Sequence, residues 1–311
     1  MREENNYGNK FNTMKGEILK AIRERLPESF EIEEVKNIKN GQIYEGFSLR
    51  KNNENIAPCF YFNNFFEAYE DGVSIELIVD RIITIYNETL NERNRIKTIN
   101  FEDFEQQKNK IIYKIINTER NKTTISNSPS FSFCDLSIIF SLLVEINESY
   151  SEVGTIRITN EMMKLWGVNK ETLLKYASIN TPKLLPADIG YVSEYLMIQE
   201  SNERDFDEML DLIDFNSFSN LLYLKNKQQT NGFATIIYPN VLEKLQNKMG
   251  SFYILPSSIH EALILPFNED IDKNYLKEMV HEVNSTIVDP LEFLSDSVYF
   301  YNAETKNIEM Y

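Results

Sequence analysis

Only two histidines occur in the chain, His260 and His281, and each is followed by a glutamate. Two His-Glu pairs 21 residues apart do not make a helical His-Glu-x-x-His zinc site, which needs both imidazoles one turn apart on one helix face. His281 falls in an amphipathic segment, 271–283, whose apolar side is Leu276, Met279, Val280 and Val283; it points away from that side and reads as a surface histidine. His260 lies in a tight connection, Leu255-Pro256-Ser257-Ser258-Ile259-His260-Glu261, between two short apolar runs. A serine beside a histidine can serve as nucleophile and base, so Ser257, Ser258, His260 and Glu261 form a candidate catalytic set. Triad partners are assembled by the fold, however, and nothing nearby signals an oxyanion hole. The plainer expectation is a turn whose serine hydroxyls satisfy backbone groups while His260 anchors the loop. The candidate binding set is Pro256, Ser257, Ser258, His260, Glu261 and Asp296.

Other chemistry is weakly signalled. Acid-x-Lys pairs of the kind found on nuclease strands occur at Glu34–Lys36 and Glu304–Lys306, the latter with Asp296 eight residues upstream. In a chain with 48 acids such spacings arise by chance, so no metal site is expected. The ten glycines never fall in a G-x-G-x-x-G or G-x-x-x-x-G-K pattern, which removes those routes to nucleotide binding, and no cofactor is expected. Cys59 and Cys134, among apolar residues on predicted strands, are expected to be buried and inert; two cysteines make no disulfide framework.

Charge narrows the partners. The net charge is −16, but it is unevenly spread: residues 1–50 carry nine acids and nine bases, whereas 251–311 carry eleven acids and three bases. Phosphate recognition needs clustered basic residues, so nucleic acid is disfavoured and a protein partner with a basic surface is expected. The start has no apolar signal core and no stretch reaches membrane-spanning length, which predicts a cytoplasmic protein without a membrane segment.

The elements that must position these residues follow from periodicity and turn chemistry. A helix is predicted from about 12 to 26, then a hairpin of 30–39 and 42–51 about Asn40-Gly41, then a strand at 59–62. Ser74 caps a helix whose Ile75, Ile78, Val79, Ile82 and Tyr86 make one stripe. A further helix is predicted over 102–118 and a loop over 121–132. Strands at 136–146 and 155–158 precede a short helix capped by Thr159 or Asn160, and a helix over 170–179 stopped near Asn180-Thr181-Pro182. The acid-rich stretch 194–214 reads as the solvated face of one or two helices. A hairpin of 221–225 with 233–238 follows, then a helix starting at Pro239 and closed by Gly250. Strands at 252–255, 262–265, 298–301 and 308–311, with the 271–283 helix among them, complete the chain. The mixed order predicts an α+β protein whose antiparallel sheets, built from hairpins, pack against amphipathic helices. The division is placed at 1–125 and 126–311, or as one continuous domain from about 13 to 311.

Several motifs carry a resemblance: Ile56-Ala57-Pro58-Cys59-Phe60-Tyr61-Phe62-Asn63 leading into Phe66-Glu67-x-Tyr69-Glu70-x-Gly72; Trp166-Gly167-Val168; the Phe252 to Glu261 run; and Leu294-Ser295-Asp296-x-Val298-Tyr299. Together they resemble a bacterial family, domain of unknown function 5688, over nearly the whole chain, with Phe62 where members commonly have leucine. The resemblance implies no activity and transfers no catalytic residue. The acidic C-terminal third, the missing catalytic constellation and the family's occurrence on mobile elements together predict a non-enzymatic interaction protein that binds and inhibits a host defence complex; a hydrolase centred on the His260 loop is the alternative.

Overall fold

The computed structural model describes residues 2–52, 57–97, 101–147, 152–195, 204–215 and 221–311; Ile56 of the first motif and 196–203 of the acid-rich stretch lie outside them. The chain is α+β, with three antiparallel sheets, and divides into two compact units, Met1–Asn100 and Phe101–Tyr311.

The first unit runs α1 (Arg2–Arg25), β1 (Phe30–Lys39), β2 (Gln42–Lys51), β3 (Cys59–Tyr61), α2 (Asn63–Glu70) and α3 (Ile75–Lys97). Lys39 pairs with Gln42, and Asn40 and Gly41 both adopt positive φ (47° and 77°), the two-residue turn that matches strand twist. The Ser74 hydroxyl accepts a hydrogen bond from Leu77 N–H, and Ile78, Val79, Ile82 and Tyr86 are buried with Met14, Ile18 and Ile22 of α1 and Phe47, Phe60 and Phe62. Cys59 is exposed rather than buried, because β3 is a sheet edge on which Phe60, not Cys59, faces the core.

The second unit opens with α4 (Phe104–Gln107), β4 (Ile111–Asn117), α5 (Lys122–Ser126), β5 (Ser130–Phe133), β6 (Leu136–Asn147) and β7 (Glu152–Arg157). The helix expected over 102–118 is therefore only a short turn before a strand. The run Ile111-Ile112-Tyr113 with Ile115-Ile116 is β-branched and aromatic, and it pairs with β6 from Leu136 to Leu142. The segment 121–132, expected to be a loop, holds α5 and part of β5 and connects strands of one sheet. The division of the chain falls ahead of it, between Asn100 and Phe101. Cys134 is exposed too, at positive φ (51°) in the β5–β6 turn; partial burial of sulfur holds both thiols above their ordinary range.

Next come α6 (Asn160–Leu165), α7 (Lys170–Leu184), β8 (Ala187–Tyr191), α8 (Val192–Tyr195) and α9 (Phe206–Leu212). Helix α6 has Thr159 as its N-cap, and α9 opens on a capping box of Asp205 and Glu208. Helix α7 runs through Pro182 instead of stopping before it. Asn180 donates to the carbonyls of Lys108 and Ile111, and the Thr181 hydroxyl accepts from Tyr113 N–H, so this turn is fastened to β4.

The remainder comprises β9 (Leu222–Asn226), a 3-10 segment (Gly232–Ile237), α10 (Val241–Met249), β10 (Phe252–Pro256), β11 (Glu261–Pro266), α11 (Lys273–Thr286), β12 (Tyr299–Asn302) and β13 (Asn307–Met310). The 233–238 segment is not a strand; β9 pairs instead with β8 and β11, and the sheet order is β13-β12-β10-β11-β9-β8. One apolar face of this sheet joins β4 and β6 in the main core, while Leu276 and Val280 of α11 cover Tyr253, Leu255 and Phe300 on the other.

One buried group opposes folding. Lys114 of β4 is part-buried, donates to the Thr155 hydroxyl at 2.6 Å and has no carboxylate partner among the described residues; burial pulls its pKa down to about 8. A base whose folded pKa lies below its unfolded value is protonated preferentially in the unfolded chain, so stability rises as pH climbs from about 8 towards about 10.5. At neutral pH the cost is ~2 kcal/mol, given that the residue is only part-buried. Lys114→Met is expected to raise stability by about that amount at pH 7 and to abolish the rise above pH 8 in urea titrations. Equal stability of the two proteins at pH 7 would refute this.

Candidate functional site

The site is built on the β8-β9-β11 edge of the large sheet. Strand register aligns Asp188 with Lys225 and Lys225 with Glu261, an acid–base–acid row running across three strands. Lys225 is only 4% exposed. Burial holds its ammonium pKa below the ordinary range, against the pull of Asp188 and Glu261, and burial likewise pushes Asp188 up against Lys225 and Lys227. Asp188 Oδ1 is buried without a hydrogen-bond partner among the described residues.

The β10–β11 connection is held from within and from two neighbouring segments. Ser258 Oγ accepts from His260 N–H at 2.9 Å, and Ser257 Oγ donates to Glu261 Oε1 at 3.2 Å. Ile259 N–H donates to the Glu292 carbonyl, and the Ile259 carbonyl accepts from Phe233 N–H. The His260 ring, 31% exposed, accepts from Asn231 N–H through Nδ1 (3.3 Å) and faces Glu292 Oε1 through Nε2 (3.4 Å). With Nδ1 accepting, the proton of the neutral ring belongs on Nε2, directed at Glu292.

These groups surround an open cleft of ≈ 320 Å³ lined by Lys225, Gln229, Ser258, His260, Glu261 and Glu292. Four of the expected loop residues, Ser257, Ser258, His260 and Glu261, are thus drawn into one hydrogen-bonded unit. Pro256 is instead the buried last residue of β10, paired with Ala262. Asp296 belongs to a separate cluster, accepting from Asn284 Nδ2 and lying 3.3 Å from His281 Nδ1. His281 is well exposed, as expected. Neither serine hydroxyl hydrogen-bonds the imidazole. Lys225, Asp188 and Glu292 were missed because strand register and the 287–298 loop, not local spacing, bring them to the site.

The acid-x-Lys pairs are spent on surface ion pairs, Lys306 with Glu243 and Glu34 with Lys15. Among the described residues no group of His, Cys, Asp and Glu side chains is arranged to hold a metal ion, and no helix is long and apolar enough to cross a membrane. The profile of a family of unknown function, DUF5688, matches residues 11–303. No curated protein and no solved structure matches the chain.

Proposed function

The chain belongs to the family of unknown function DUF5688, and we propose that it is a non-enzymatic interaction protein that binds a protein partner with a basic surface. The observation that carries this reading is the fate of the acidic C-terminal stretch. None of the eleven acids of residues 251–311 is buried, and the same stretch holds only three lysines. Of those, Lys306 pairs with Glu243 and Lys273 lies 3.7 Å over the Tyr311 ring. Charge left unmatched at a surface raises the encounter rate with an oppositely charged partner and suppresses like-charged ones.

Helix α11 adds apolar anchors. Leu276 and Val280 fill the core, whereas Met279, expected on the buried side, sits at its margin and is 37% exposed; Tyr275 is 64% exposed. Spacing places Tyr275, Glu278, Met279 and Glu282 on one face, an aromatic and a thioether between carboxylates. That neither the Ser257 nor the Ser258 hydroxyl hydrogen-bonds the imidazole favours this reading over hydrolysis, because a serine nucleophile needs its base within hydrogen-bond reach. The partner is a component of a host defence complex if the chain serves a mobile element.

The test is capture from host lysate by immobilised wild-type chain beside Glu278→Lys/Glu282→Lys. The expected result is a species released by raising salt from about 0.1 to 0.5 M, where the Debye length falls well below 10 Å, and reduced at least tenfold by the double reversal. Identical capture by both proteins, or none above background, sinks the reading.

A further inference from the structure

We infer that the His260 cleft receives the guanidinium of an arginine, presented by the basic partner; this rests on the reading of the chain as a protein that binds such a partner. At ≈ 320 Å³ the cleft lies at the small end of ligand sites and matches one long side chain, not a helix or a strand. Its lining residues are all polar or charged, and their charge is not balanced. The Lys225 ammonium stands in register between Asp188 and Glu261, so its charge is answered within the sheet. Glu292 then adds a further negative charge from a different segment.

The two glutamates are held ready to accept. Glu261 Oε1 takes the Ser257 hydroxyl and Glu292 Oε1 faces His260 Nε2, while Oε2 of each has no hydrogen-bond partner among the described residues. A carboxylate fixed by one oxygen and open at the other is a preorganised acceptor for a cation. A planar guanidinium, with five donors in a rigid fork, can reach two carboxylates from separate elements and the Ser258 hydroxyl together. The part-exposed imidazole supplies a ring against which it stacks. An ammonium, a compact and strongly hydrated point charge, gains less from such spread acceptors.

His260 and His281 are the only imidazoles in the chain, so proton NMR of the full-length protein has two ring reporters, assigned with His281→Gln. The probe is acetyl-Gly-Arg-Gly-amide, titrated beside its lysine and citrulline counterparts. The arginine peptide is expected to move the His260 resonances and leave His281 in place. The lysine peptide binds at least threefold more weakly and citrulline does not bind. Glu292→Gln, at a part-exposed position and checked by far-UV circular dichroism, weakens the arginine peptide at least tenfold, and Glu261→Gln does the same. An unmoved His260, equal movement of both imidazoles, equal affinity for the lysine peptide, or full affinity in both variants overturns the assignment. If the Glu278→Lys/Glu282→Lys protein loses its partner while the peptide leaves His260 unmoved, the cleft assignment falls and the interaction reading stands. If the peptide binds as described but no partner is captured, the cleft assignment stands and the interaction reading falls.

Discussion

Gly232→Ala is expected to lower the stability of the second unit by about 3 kcal/mol and to dislodge the His260 loop. A β-carbon at this position lies 2.2 Å from the His260 carbonyl oxygen, 2.8 Å from Asn226 N and 3.1 Å from Lys225 Cα. All three are backbone atoms, so no side chain can swing aside to make room. The 3-10 segment must move away from both β9 and the β10–β11 connection. That movement breaks the bonds it makes to them, Phe233 N–H to the Ile259 carbonyl and Asn231 N–H to His260 Nδ1. For a unit of this size the loss corresponds to a fall in Tm of roughly 6–12 °C, and both His260 ring resonances should shift. Gly16→Ala is the control: it lies within α1 with nothing within 4 Å of a new β-carbon, and should gain up to ~1 kcal/mol from helix propensity. A Gly232→Ala protein within 0.5 kcal/mol of wild type, the usual spread of neutral surface changes, would mean that the close approach does not exist.

Nothing local in the sequence marks Gly232 as the residue on which the site turns. Elements specified within a few residues were readable: the Asn40-Gly41 hairpin, the Ser74 and Thr159 caps, the Gly250 C-cap at φ 75°, and the β10–β11 pair around the His260 loop. Each is fixed by turn or cap chemistry that acts over one to four residues. Readings failed where a distant partner overrides local preference. Ile111–Asn117 has enough apolar residues for either period, and only β6, some twenty residues on, makes it a strand. Pro182 reads as a stop, but Asn180 and Thr181 bond to β4 and carry the helix past it. Phe233–Tyr238 looks like the return strand of a hairpin, yet β8 and β11 occupy both sides of β9 and leave no edge for it. The candidate site divides in the same way. Its serines, His260 and Glu261 are contiguous and could be found, whereas Lys225, Asp188 and Glu292 come from segments whose proximity is a property of sheet order.

The Leu294-Ser295-Asp296-x-Val298-Tyr299 motif is likewise fastened by a distant residue, and Asp135→Ala should cost about 3 kcal/mol. Asp135 occupies the two-residue β5–β6 turn beside Cys134, and its carboxylate collects three hydroxyls from this one distant segment. Oδ1 accepts from the Tyr299 hydroxyl at 2.6 Å; Oδ2 accepts from Ser295 at 2.6 Å and Ser297 at 3.2 Å. Ser295 Oγ in turn accepts from Ser297 N–H, and Asn117 Nδ2 donates to the Leu294 carbonyl beside it. Tyr299 and Ser295 are essentially inaccessible to water. Burial, and then the bond to Asp135, push the Tyr299 phenol far above its ordinary range. Removing the carboxylate therefore strands buried donors that water cannot reach, which costs more than the bonds themselves contribute. Tyr299→Phe removes a donor and leaves the acceptor its two serines, so ~1 kcal/mol is expected. Asp135→Asn keeps an acceptor oxygen and should fall between. In a double-mutant cycle of Asp135→Ala with Tyr299→Phe the coupling should reach ~1 kcal/mol or more, read by urea unfolding at constant m. Zero coupling would show that the two groups do not share the bond. The arginine peptide should still move His260 in Tyr299→Phe, because this network fastens the β5–β6 turn to the C-terminal strands and contributes no group to the cleft.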